Sequence, residues 1–318
     1  MPDLRRAARS RNPTRRREAV RALGCIGGPD VVDALEAAAR DPDPWVRQVA
    51  VGALRVLAPA QSTDLLIDLL TEHHSGGFNV IDERIARDAT AGLVAIGSGA
   101  VPPLVRSMAD ASEPARDHIA ALLGEIGDPA AATPLIETLD RQYRHDPAPS
   151  VNHLSAAVAL VRIGRPAVGA LIKALEAASS PDHARADIAG VLGEIADPRA
   201  VESLIRIGAG TTLAGSDRLF LEALGKIADP AAADFLVAAV HDAARSWETR
   251  IRAATALGRI GQTSAVTEML RLLESLIEHF TTQAAGSLLP QALVLTEFLS
   301  VLARLSTPAR ARPLMHML

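Results

Sequence analysis

The residues best suited to chemistry lie between positions 73 and 183. Six of the nine histidines fall there (His73, His74, His118, His145, His153 and His183), with Asp117 beside His118 and with Asp88 and Asp187 within the same stretch. Imidazole changes charge near neutral pH, and with carboxylates it can do acid/base work or hold a metal ion. His118, His153, Asp117 and Asp187 are therefore the candidates for a catalytic or metal-assisted site. Other chemistries lack their residues. A single cysteine, Cys25, allows neither a zinc-type cysteine pair nor an intrachain disulfide, and no Gly-rich phosphate loop follows a strand. Whether the candidates meet depends on the elements that carry them.

Those elements repeat. The phrase LLGEIGDPAAATPLIETL from Leu122 returns as VLGEIADPRAVESLIRI from Val191 and as ALGKIADPAAADFLVAAV from Ala223. Taking the apolar residue that closes each phrase as an anchor gives Ile26, Leu57, Ile96, Ile126, Ile163, Ile195, Ile227, Ile260 and Leu305. The period is about 32 residues, the signature of a stacked repeat protein. Before each anchor, apolar or small residues at offsets −11, −7, −4, −3 and 0 form one stripe on a helix, as in Val46, Ala50, Ala53, Leu54 and Leu57. After it, Asp128-Pro129, Asp197-Pro198 and Asp229-Pro230 start the next helix, because Asp caps and Pro is preorganised for a first turn. Glycine at offset −2 (Gly24, Gly124, Gly193, Gly225, Gly258) costs about 1 kcal/mol inside a helix, so close packing is the expected compensation.

Composition agrees with helix packing. The 318 residues are 48% hydrophobic but only 3% aromatic. A net charge of −4 argues against a dedicated nucleic-acid binder, although Arg5, Arg6, Arg9, Arg11, Arg15, Arg16, Arg17 and Arg21 crowd the first two dozen residues. That cluster reads as a solvated first helix, ahead of an arm for an anionic partner or a targeting peptide. Cys25, near a helix end, reads as a small buried hydrophobe. No stretch reads as a membrane span or a secretory signal, and a cytoplasmic protein is expected.

The run Pro42-Asp43-Pro44-Trp45-Val46-Arg47-Gln48-Val49-Ala50-Val51-Gly52-Ala53-Leu54 resembles the second helix of a HEAT repeat, of the variety associated with phycobilisome lyases. The family's arginine matches Arg16, Arg47, Arg116, Arg185 and Arg250 at offset −10, where the resemblance implies a structural role within or between repeats. It implies an all-α, right-handed α-solenoid, an armadillo-like superhelix of about nine helix pairs with the second helices lining the concave face. One domain is expected over residues 1–318: a basic N-terminal cap at 1–27, regular repeats at 28–260 with insertions near 71–81 and 140–150, and an irregular C-terminal cap at 261–318.

Helical angles then assign columns. With the core stripe at zero, offsets −9, −5 and −2 fall opposite, and −8 and −10 fall on the flanks. The −5 column (Gly52, Ala91, Ala121, Val158, Gly190) is a smooth floor, and the −9 column (Arg17, Gln48, Arg87, Asp117, Leu154, Ala186, Arg218) is mixed. At −8, Asp88, His118 and Asp187 take equivalent places in repeats three, four and six. Across the next groove Asp88 could face Arg116 and His118 could face His153, or the stack could pair them the other way round. The insertions TEHHSGGFNV and RQYRHDPAPS should project from one edge.

HEAT-like enzymes supply a contrast. Deoxyhypusine hydroxylase is built on repeated His-Glu pairs at about the −9 and −8 offsets; here those places hold Arg87-Asp88, Asp117-His118, Leu154-Ser155 and Ala186-Asp187. HEAT-like DNA glycosylases need a basic, aromatic groove, whereas Trp45 and Trp247 stand in separate repeats. The reading that follows is a non-enzymatic scaffold that binds a protein or peptide on its concave face and insertion-bearing edge through Arg87, Asp88, Asp117, His73 and His74, with no cofactor or metal. The alternative is a small-molecule or prosthetic-group enzyme, lyase-like or metal-assisted, with a site between repeats three and six at His118, His153, Asp117 and Asp187.

Overall fold

A computed structural model describes residues 1–73, 80–145, 153–177, 182–210 and 217–261, with helical positions at 267–268, 270–272, 274–275 and 300. Among these residues the regular structure is helical. The chain divides into two compact units, Met1–Leu135 with Ser150–Ile163, and Ile136–Pro149 with Gly164–Leu318. The first holds α1 (Pro2–Ala7), α2 (Pro13–Ile26), α3 (Val32–Ala39), α4 (Pro44–Leu57), α5 (Thr63–His73), α6 (Val80–Ile96), α7 (Val101–Asp110), α8 (Glu113–Ile126), the start of α9 (Ala132–His145), and α10 (His153–Ile163). The second holds α11 (Val168–Glu176), α12 (Asp182–Ile195), α13 (Val201–Gly210), α14 (Asp217–Ile227), α15 (Ala233–His241) and α16 (Trp247–Ile260). Within each unit an odd-numbered helix packs on the even-numbered helix after it, and even-numbered helices pack on one another, as α2 on α4 and α12 on α14.

Ile26, Leu57, Ile96, Ile126, Ile163, Ile195, Ile227 and Ile260 are the last residues of α2, α4, α6, α8, α10, α12, α14 and α16. The anchors mark where each helix stops rather than where the core is deepest: Ile26 is 55% exposed and Leu57 37%. The core column lies one turn earlier. Leu23, Leu54, Leu93, Leu123, Leu160, Leu192, Leu224 and Leu257, all at offset −3, are 0% exposed. Full burial of each contributes about 1.5–3 kcal/mol. Ala19, Ala50, Ala89, Ile119, Ala156, Ile188, Phe220 and Ala253, at −7, complete the stripe and are also buried.

The Asp-Pro phrase turns the chain as its chemistry requires, with an added step. Asp128, Asp197 and Asp229 accept from the backbone N–H of Ala130 (2.8 Å), Arg199 (3.0 Å) and Ala231 (2.8 Å), and the proline opens a 3-10 turn that feeds α9, α13 and α15. The residue between anchor and Asp has a left-handed backbone: Gly127 at φ 72, Ala196 at φ 54 and Ala228 at φ 56.

The −2 glycines are where successive repeats approach most closely. A Cβ on Gly124 would stand 2.5 Å from Ala159 Cα, on Gly193 2.7 Å from Ala223 Cα, and on Gly225 2.8 Å from Ala256 Cα. Each contacted alanine sits at offset −4 of the next even-numbered helix, so column −2 is a seam and not part of an open face. The run 81–110 is long and apolar enough by composition to cross a membrane. Gly97, at φ 66, and the 3-10 turn Gly97–Ala100 divide it into α6 and α7, each packed on neighbouring helices.

Candidate functional site

The −10 arginines hold the repeat together. The last carbonyls of a helix lack intrahelical partners and carry partial negative charge, and a guanidinium can satisfy several at once. Arg116 donates to the carbonyls of Met108 (3.3 Å) and Ala111 (2.9 Å) behind α7, Arg185 to Ala177 (2.7 Å) behind α11, and Arg250 to Val240 (2.7 Å) in α15. Arg47 reaches the carbonyls of Asp41 (3.0 Å) and Pro42 (3.2 Å) and bridges to Asp82 (3.0 Å). Arg16 forks onto Asp41 at 2.7 and 2.8 Å and also takes the Ser10 carbonyl at 2.9 Å. Burial pushes the Asp41 carboxyl up, but the Arg16 fork and the Asp43 N–H outweigh it and hold it below the usual range. Burial lowers Arg250, whose guanidinium lies 4.3 Å from the Trp247 ring centroid. These arginines are spoken for, as the family resemblance implied.

Asp88 therefore pairs elsewhere. It lies 3.6 Å from Arg55 of the preceding repeat, and Gly52 leaves room for it: a Cβ there would stand 3.7 Å from the carboxylate. His118 also turns toward the preceding repeat, with Nε2 3.4 Å from Thr90 Oγ1. The Thr90 hydroxyl also lies 2.8 Å from the Ala86 carbonyl, to which it donates. Asp117, His118 and Asp187 each interact with neighbours and are half-buried. Among the described residues no three of His, Cys, Asp and Glu gather as a metal cluster. His73 ends α5 and His153 begins α10, but their side chains, like His74 and both insertion loops, lie outside the described residues.

The open face is offset from the helical-wheel expectation. Column −9 is exposed at Arg87 but buried at Ala186 and Ile251, and column −2 is the seam. The positions that face solvent are −12, −5 and −1. Trp45 (−12) is 44% exposed, Val56 (−1) 70% and Val158 (−5) 47%, with Arg21, Arg84, Ala95 and Ala121 also exposed. Cys25, at −1, is exposed too, which corrects its reading as a buried hydrophobe: the last turn of α2 presents it away from the core. The missed signal was available. Small residues at both −2 and −4 mean that those two columns touch, which rotates the open face toward −12 and −1.

In the first unit this face carries Arg17, Arg21, Arg84 and Arg87, which make no hydrogen bond or ion pair among the described residues; Arg17 Nε is shielded from solvent without a partner. In the second unit the same face is cross-linked by charge. Lys226 lies 2.9 Å from both Glu194 and Glu222, and Arg252 lies 3.0 Å from Glu248 and 3.9 Å from Glu222. Burial raises the Glu222 carboxyl, but Lys226 and then Arg252 and Arg218 bring it below its ordinary value. A cleft of about 560 Å³ opens between α1 and α3, where Arg16 pairs with Asp41 and Arg5 donates to the Asp30 carbonyl.

Residues 1–76 and 217–289 match the family model for HEAT repeats, and residues 115–141 match the PBS lyase HEAT-like repeat. No curated protein sequence matches the chain. Among solved structures, human deoxyhypusine hydroxylase in complex with glycerol is similar at 18% identity and TM-score 0.32, over 95% of this chain and 94% of that one. The complex of CpcE and CpcF of phycocyanin lyase from a Nostoc species is similar at 24% identity and TM-score 0.32, over 87% of this chain and 94% of that one. At these identities and scores neither likeness bears on activity.

Proposed function

Because the chain is a HEAT-repeat protein, we propose that it is a non-enzymatic interaction scaffold that holds a protein or peptide along the open face of its even-numbered helices. The observation that supports this reading is the face itself: Trp45, Val56 and Val158 stand exposed on regular helices while the leucines one turn away are fully enclosed. Tryptophan and arginine dominate the residues that carry binding energy in interfaces, and small neighbours such as Gly52, Ala91 and Ala121 let a partner's backbone come close. Of the contact residues of the sequence reading, exposed Arg87 is assigned to this partner directly. Asp88 enters through its pair with Arg55, Asp117 borders the face, and the edge with His73 and His74 is assigned to the same partner on sequence grounds.

The test is site-specific photocrosslinking in the full chain, with the crosslinker at Ala91 and Ala121 on the open face and at exposed Arg106 on α7 as the control. A stoichiometric protein partner should be captured from positions 91 and 121 and not from 106. Capture from 106 alone, or a purified chain that carries a stoichiometric metal or chromophore and no partner, would overturn the reading.

A further inference from the structure

The first unit's open face differs from a generic docking groove in its charge. Along α4, Trp45, Gly52 and Val56 fall at i, i+7 and i+11, a lane of apolar and small residues about 16 Å long at 1.5 Å per residue. Gly24 at −2 meets Ala53 at −4, and Gly92 at −4 meets Arg55 at −2, so α2, α4 and α6 stack in one register and equal offsets lie side by side. Arg17 and Arg21 stand on α2 to one side of α4 and Arg84 and Arg87 on α6 to the other, with the Asp88 carboxylate of α6 against the lane floor, 3.7 Å from a Cβ at Gly52. All four guanidinium groups lack a protein acceptor among the described residues. Of the acidic residues near them, Asp88 pairs with Arg55 and Asp82 with Arg47, and exposed Glu18 and Glu83 make no ion pair with the four arginines among the described residues.

We propose that this face binds an acidic peptide segment with one apolar side chain, which packs against Trp45 over Gly52 while carboxylates on either side engage the two arginine pairs. Helix axes about 8–10 Å apart and an extended chain rising about 3.3 Å per residue place the acidic residues about three positions before and after the apolar one. Arginine suits carboxylates because its planar fork can bind them bidentately. A nucleic acid would also meet the charge, but one exposed tryptophan offers a single stacking platform where successive bases need several. The proposal rests on the interaction reading above and narrows it.

The experiment uses the full chain and a fluorescein-labelled peptide with glutamates about three positions on each side of a central leucine, followed by fluorescence anisotropy. The same peptide with glutamine for glutamate, and a single-stranded oligonucleotide of matched charge, serve as comparisons. The acidic peptide should bind at least about tenfold more tightly than the glutamine peptide, with affinity falling as salt rises. Joint reversal of Arg17, Arg21, Arg84 and Arg87 to Glu should abolish binding with the helical circular-dichroism signal retained; Arg84→Gln with Arg87→Gln, both on the surface, should weaken it by about three- to tenfold. In a Trp247→Phe chain, Trp45 emission should shift on binding.

Equal affinity for the glutamine peptide, tighter binding of the oligonucleotide, an unmoved Trp45 emission, or indifference to Arg84→Gln with Arg87→Gln would each overturn the proposal. If the peptide fails while positions 91 and 121 still capture a partner, the charge inference alone falls. If both fail, the interaction reading falls with it.

Discussion

The first unit leaves cations and a tryptophan uncovered on its open face, whereas the second closes the same face with a ladder of ion pairs. Both units are built on the same seam. Leucine fills −3 in each, glycine at −2 meets a small residue at −4, and arginine at −10 ties the end of the preceding helix. What packing uses is repeated, and what packing leaves free diverges. On the proposed interaction reading, function sits in the columns that the fold does not need, and the contrast between Arg84, Arg87 and Trp45 on one side and Glu222, Lys226 and Arg252 on the other is the difference that reading rests on.

The largest effects should come from the shared seam, equally in both units. Gly124→Ala and Gly193→Ala each add a Cβ less than 3 Å from the backbone of the next helix, at 2.5 and 2.7 Å. Alanine gains about 1 kcal/mol of helix propensity, but an overpacked contact with backbone has no side chain to swing aside. Each variant should lose about 2 kcal/mol in denaturant unfolding. Gly190, on the open face of α12, has nothing within 4 Å of its added Cβ, and Gly190→Ala should gain about 0.5–1 kcal/mol. A gain at Gly124 or a loss at Gly190 would reverse the assignment of seam and open face.

Next comes Arg116→Met, which frees the carbonyls of Met108 and Ala111. It should cost about 1–2 kcal/mol, since a charge-assisted bond to half-buried acceptors is lost while the aliphatic stem is kept. A cost below about 0.5 kcal/mol would mean that water replaces the guanidinium without penalty.

The seam was legible in sequence because it obeys a period. The Asp-Pro corners, the anchors as helix ends and the −10 arginines all follow from spacing or from family resemblance. The pairings across repeats were not legible, because they depend on the relative rotation of neighbouring helices, which spacing within one helix does not contain. Asp88 turns to the preceding repeat, toward Arg55 and not Arg116, and His118 has Thr90 of the preceding repeat within 3.4 Å, while the His153 side chain lies outside the described residues. The wheel also treated −2 as open although glycine there signalled contact, so Trp45 and Val56 were overlooked as surface residues. The left-handed Ala196 and Ala228 had no marker either, since Gly127 fills the equivalent place in another repeat.

The ladder of the second unit predicts a smaller, pH-dependent effect. Glu222 is lower in the folded chain than its ordinary value of 4.5. A carboxylate depressed on folding stabilises above its unfolded value, and that contribution fades as pH falls through the folded one. Glu222→Gln should therefore cost about 0.5–1 kcal/mol near neutral pH, discounted for partial exposure. The gap to the parent chain should close as the pH drops below 4.5. A gap that widened in acid would show that Glu222 is not held as an anion by Lys226 and Arg252.

The smallest effect is the most informative about the first unit. Arg84→Gln and Arg87→Gln remove cations that no protein acceptor engages among the described residues, so each should change stability by less than about 0.5 kcal/mol. The equivalent change in the second unit, Arg252→Gln, removes a group 3.0 Å from Glu248 and 3.9 Å from Glu222 and should cost more, about 0.5–1 kcal/mol. Charge that contributes nothing to folding has no structural reason to be concentrated beside an exposed tryptophan. If Arg84→Gln and Arg87→Gln destabilised the chain as much as Arg252→Gln, the two faces would be alike, and the first would lose its claim to be a binding surface.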